Sequence, residues 1–182
     1  MYMKLSLRLT MLSIFCFSYL LFFIGILNYW NPNNVTLSGV LGNYNNKSYF
    51  FFLVVIVMGI SGIIYECTFN DILSLLFTVI VSISLLCLTW ISEDYSSTFR
   101  NKSHVIIAAI IFITALLYEF YHATMTCDKY LWLLLLLSLA MFAKMVIQYL
   151  TFLKGGVFPS IIFEELTIVF ILFLVFLRRG NI

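Results

Sequence analysis

Long apolar runs alternate with short polar breaks along this chain. Tyr49–Gly59 and Leu131–Leu137 are apolar on every side. A membrane-spanning strand would instead alternate polar and apolar positions over about 10 residues. Backbone groups in lipid must be satisfied within their own segment, so such runs are predicted to be helices. Crossing the hydrocarbon takes about 20 mostly apolar residues. Six segments reach or approach that length: Thr10–Tyr29, Tyr49–Tyr65, Ile72–Ile91, Val105–Ala123, Tyr130–Leu150 and Pro159–Leu177. The expected fold class is all-α, a polytopic integral membrane protein built as one domain, a six-transmembrane-helix bundle.

The breaks carry their own signals. Asn31–Ser48 is asparagine-rich and holds Pro32, Gly39 and Gly42, a turn-forming composition. Ser92–His104 is polar and mixed in charge, while Glu66–Asp71, Thr124–Lys129 and Thr151–Phe158 have room only for tight turns. Gly155-Gly156 should stop the fifth helix, and Pro159 suits the first turn of the sixth. The first segment starts basic like a signal peptide. Its end, Gly25-Ile26-Leu27-Asn28-Tyr29-Trp30, is too bulky for a small-x-small cleavage site, so a retained helix is expected.

Composition sharpens this. Hydrophobic residues make up 63% of the 182 positions and charged residues 10%, against about 45–50% and about 25% in soluble domains. A water-soluble particle of this size could not hide so much apolar surface, which excludes disorder, a nucleic-acid-binding domain and a secreted disulfide module. The net charge of +2 is too small to imply a polyanionic partner. Cys16, Cys67, Cys87 and Cys127 form no CxxC or Cys/His ligand spacing, and no disulfide framework is arguable. No metal and no cofactor are implied.

Positive charge suggests an orientation. With the N-terminus cytoplasmic, Lys4, Arg8, Lys129, Arg178 and Arg179 lie inside, and Lys47, Arg100, Lys102 and Lys154 outside. The sequons Asn34-Val35-Thr36, Asn46-Lys47-Ser48 and Asn101-Lys102-Ser103 all fall on the outer side of that arrangement. Both termini are therefore expected in the cytoplasm.

Polar groups within the spans are the candidate chemistry, because a charge at mid-membrane costs about 2.5–3.5 kcal/mol on insertion scales. At 1.5 Å per residue, Lys144 lies about 9 Å below the outer end of the fifth span, and Glu164 and Glu165 about 8–9 Å below that of the sixth. Antiparallel neighbours on a short loop should touch, so an ion pair between Lys144 and one glutamate is expected, with Gln148 one turn away. Adjacent helical residues point about 100° apart. The second glutamate should then be protonated, hydrated or turned to another helix. Such a pair is either glue between helices or a proton, cation or lipid-headgroup site.

A second cluster is expected at the inner interface: Glu66, Asp71, Glu119 and His122, with Asp128 adding to an acidic rim. Glu119 and His122 have the E-x-x-H spacing of a metal half-site, but the second copy and further carboxylates of a di-metal site are missing. His122 is expected to hydrogen-bond Glu119 or water. His104 is placed at the outer interface. Gly59, Gly62 and Glu66 on the second span, and Asp71, Ser74, Thr78, Ser82 and Thr89 on the third, read as helix-packing faces. Short hydroxyls readily bond their own helix's carbonyls. Tyr29, Trp30, Tyr49, Trp90, Tyr130 and Trp132 lie at span ends, as in an interfacial belt.

Enzyme patterns do not fit. Intramembrane CAAX-type proteases carry E-E-x-x-x-R with histidines on later helices. After Glu164-Glu165 that arginine position is Val169, and no later span follows. A lipid-acting enzyme using Glu119 and His122 as acid and base is the least favoured reading. In layout the chain resembles the DRAM/Sfk superfamily of six-span membrane proteins. The resemblance rests on size, six helices and the polar loop with Trp30-Asn31-Pro32, Thr36-Leu37-Ser38-Gly39 and Leu41-Gly42, followed by Asn101-Lys102-Ser103-His104 at the entry to the fourth helix. Gly39 stands where an acidic residue commonly follows the loop serine. The resemblance implies a non-enzymatic protein that organises lipids or modulates partners. The expected function is accordingly lipid binding or partner modulation, with membrane lipids, partner helices or a second copy as partners and no nucleic acid. The alternative is a small proton- or ion-coupled transporter working through Lys144, Glu164 and Glu165.

Overall fold

The structure is a computed structural model that describes residues 2–29, 40, 47–90, 98–153 and 160–179. Six long helices occur among them: α1 (Tyr2–Tyr29), α2 (Lys47–Cys67), α3 (Ile72–Trp90), α4 (Thr98–Thr126), α5 (Lys129–Leu153) and α6 (Ile162–Arg179). No strand occurs among the described residues. Five stretches are long and apolar enough to cross a membrane: Lys4–Tyr29, Tyr49–Cys67, Ile72–Thr89, Ser103–Thr126 and Lys129–Phe152. This is the build of a helical membrane protein. The sixth helix falls short of that standard for a chemical reason. It has 18 residues, with Glu164 and Glu165 in its first turn and Arg178 and Arg179 in its last.

Several boundaries differ from the sequence expectation. α1 begins well before Thr10 and takes in Lys4 and Arg8. α4 begins at Thr98, so Asn101–His104 is helical and not part of a connector. Glu66 lies in the last turn of α2, and Thr124–Thr126 still belong to α4. In each case apolar content marks the membrane-crossing part of a helix, and the hydrogen-bonded backbone continues past it until a cap stops it. The Asn31-Pro32 loop, the first two sequons, and Gly155-Gly156 with Pro159 lie outside the described residues.

Two turns share one design. After α2, Thr68 and Phe69 donate their backbone N–H to Tyr65 and Glu66 carbonyls, both at 3.0 Å. Asn70 then takes a left-handed conformation (φ 58°). Asp71 starts α3 as its N-cap, its Oδ1 accepting from Ser74 N at 3.2 Å. After α4, Cys127 is left-handed (φ 51°), and Asp128 caps α5 by accepting from Tyr130 N at 2.9 Å. Asn tolerates this backbone region well; Cys is an uncommon occupant.

The helices group into two compact units, one of α1, α2, α3 and α4 as far as Ile111, the other of α4 from Phe112 with α5 and α6. In the first, α1 packs on α2 and α2 on α3. Phe22, Ile26, Phe51 and Val55 are buried at the first seam, where Phe22 and Phe51 meet edge to face at 5.9 Å. At the second seam the glycines decide the approach. A Cβ on Gly59 would lie 3.1 Å from Ser82 Cβ, and one on Gly62 3.6 Å from Thr78 Cγ2. The expected glycine and hydroxyl faces are thus in direct contact. Thr78 and Thr89 donate their hydroxyls to carbonyls of their own helix, Ser74 at 3.0 Å and Leu86 at 2.7 Å. In the second unit α5 packs on α6. Large apolar side chains project outward from both units, such as Leu27 (76% exposed) in the first and Phe163 (69%) in the second.

Candidate functional site

In the second unit, the Lys144 ammonium of α5 is in contact with Glu164 Oε1 of α6. The pair is lopsided. The Lys144 side chain is 56% exposed and that of Glu164 only 3%. At helical spacing Lys144 shares its outward face with Leu137, Ala140 and Ile147, all exposed. Glu164 Oε2 is buried with no hydrogen-bond partner among the described residues, as is Gln148 Oε1. Of the two glutamates, Glu164 is thus the one that turns to Lys144. Glu165 is also buried, and its backbone N–H donates to the Ile161 carbonyl at 3.1 Å.

The C-terminal end of α6 meets the start of α5 and the end of α4. Arg178 Nε donates to Asp128 Oδ2, and its guanidinium lies 5.2 Å from the centre of the Tyr130 ring. Asp128 is therefore a helix cap and an ion-pair partner at once. The Tyr130 N–H, and after it the Arg178 cation, hold its carboxyl below the ordinary carboxylate range, against the opposing effect of burial. Arg179 reaches further in, where its Nη1 lies 2.7 Å from His122 Nε2 and both side chains are buried. This corrects the expected Glu119–His122 hydrogen bond. The long arginine side chain reaches the ring nitrogen from α6, and the His122 ring packs on Tyr118 at 4.4 Å. Neither oxygen of Glu119 has a hydrogen-bond partner among the described residues.

The predicted inner cluster divides between the two units. Glu66 and Asp71 belong to the first: Glu66 is fully buried, and Asp71 is spent on capping α3. Glu119 and His122 belong to the second. His104, expected at an interface, lies six residues into α4 and is buried. No group of three or more His, Cys, Asp or Glu side chains comes together among the described residues in a way that could hold a metal ion.

Sequence reasoning missed the role of Arg8, which it read only as a charged flank. Arg8 donates from Nε to Thr68 Oγ1 at 3.1 Å and from Nη2 to the Thr68 carbonyl at 3.2 Å, and lies 4.0 Å from the centre of the Phe69 ring. It thereby pins the α2–α3 turn to α1. The available signal was a basic residue at the start of the first helix on the same expected side as that turn. No family model, curated protein or solved structure matches the chain.

Proposed function

We propose that the protein is a non-enzymatic, six-span membrane protein that binds lipid through the Lys144 side of α5. The observation that carries this reading is the lopsided pair. A buried carboxylate holds the lysine, while the lysine side chain is more than half exposed beside the exposed apolar residues Leu137 and Ile147. Lysine stems lie along apolar surface and carry the charge toward headgroups. Lys144 lies about 14 Å before the end of α5 at Leu153, and its stem would carry the charge toward lipid phosphate.

The sixth crossing is α6. Its charges sit at its ends, so Leu166–Leu177 is uncharged over about 18 Å. Glutamates in the first turn and arginines in the last oppose the helix dipole favourably. Six crossings put both termini on the same side, which the basic flanks make cytoplasmic. This layout agrees with the resemblance to the DRAM/Sfk superfamily. Further helices or a second copy would pack on the exposed apolar faces. A carrier working through Lys144, Glu164 and Glu165 would need water at the lysine's level, and its exposed neighbours there are apolar.

Native mass spectrometry of the detergent-extracted protein tests lipid binding. The expected spectrum shows retained anionic phospholipid that Lys144→Ala loses and Lys144→Arg keeps. Equal lipid retention by wild type and Lys144→Ala would overturn the reading.

A further inference from the structure

Two helices of the second unit each carry buried residues at helical spacing. On α4 the stripe is Phe112, Ala115, Glu119 and His122; on α5 it is Leu131, Leu135, Ser138 and Met145. Glu119 and Ser138 are both 0% exposed. The Glu119 carboxyl faces the Ser138 hydroxyl. Among the described residues neither carboxyl oxygen has a hydrogen-bond partner, and neither has Ser138 Oγ. The described cations of α5 and α6 are placed elsewhere. Lys144 is on Glu164, Arg178 on Asp128, and Arg179 on His122. Lys129 is exposed, 5.8 Å from the centre of the Tyr130 ring.

An ionised carboxylate in such a place needs a cation or several donors, and one hydroxyl cannot supply them. A carboxylic acid needs much less. Its O–H can donate and Ser138 Oγ can accept, so one proton satisfies an unpartnered group on each helix. We propose that Glu119 of α4 is a proton-binding site, its carboxyl holding a proton donated to Ser138 Oγ of α5. The site binds one proton to a carboxylate and needs no other reactant. It does not depend on lipid binding at Lys144.

Infrared spectroscopy of the full chain in lipid nanodiscs at neutral pH tests this. The wild type should show the C=O stretch of a protonated carboxyl that Glu119→Gln lacks. Ser138→Ala should keep that band and move it, because the acid loses its acceptor. If Glu119→Gln instead removes a carboxylate stretch, Glu119 is ionised and the proposal fails. If the glutamine variant does not fold, Ser138→Ala decides: an acid band that does not move between it and wild type overturns the proposal. Because Lys144 is untouched in both variants, this failure is separate from failure of the lipid reading.

Discussion

Single residues carry charge accounts that apolar neighbours cannot share. Glu164 is buried with Lys144 as its cation. Lys144→Ala strands that carboxylate, while Glu164→Gln removes the charge together with the need for its partner. Stranding a buried group costs about 1–3 kcal/mol, and more for charged groups. The lysine's exposure argues for the lower part of that range. Chemical denaturation in detergent should therefore show Lys144→Ala as less stable than Glu164→Gln. The reverse order would mean that the pair contributes little.

Asp128 makes a pH-dependent account. Its carboxyl is held below the ordinary range in the folded state. The stability it contributes is therefore present above the unfolded value of about 3.9 and lost as pH falls through the folded one. Thermal melts at descending pH should show this loss in wild type. Asp128→Asn, which can still cap α5, should show less of it.

At the scale of elements, seam geometry is set where a side chain is absent. A Cβ on Gly25 would lie 2.6 Å from Phe50 Cε1 and 2.9 Å from Phe51 Cε1. Gly25→Val forces both rings aside and should destabilise the α1–α2 pair by about 1–3 kcal/mol, the usual cost of overpacking. Unfolding in detergent measures it, with Leu27→Val as a control, since Leu27 is 76% exposed. Most helices were legible in the sequence because hydrocarbon-length apolar runs leave the backbone one choice. Their ends were less legible. Helices continue past the apolar run until a cap stops them, and Asp71 and Asp128 look in the sequence like charges on a rim. The left-handed turn at Cys127 has no signature in residue type.

For the whole molecule, the proposed layout turns on α6 crossing. Its four charges sit at its ends, and each of Glu164, Arg178 and Arg179 has a partner on α4, on α5 or in the turn between them. Tags at the N- and C-termini, probed by antibody in sealed vesicles, should report the same side. Opposite sides would leave five crossings, with α6 lying at the surface.

The sequence by itself determined that this chain is helical and suited to lipid, because both follow from run length and composition, which are local. It also led to the expectation that Lys144 meets one of the two glutamates, since rise per residue is constant. Only the tertiary structure decided which glutamate turns to the lysine, that Arg179 takes His122, that Arg8 holds a distant turn, and that Glu119 is buried facing a serine. These depend on helix rotation and side-chain reach, which packing sets and residue order does not.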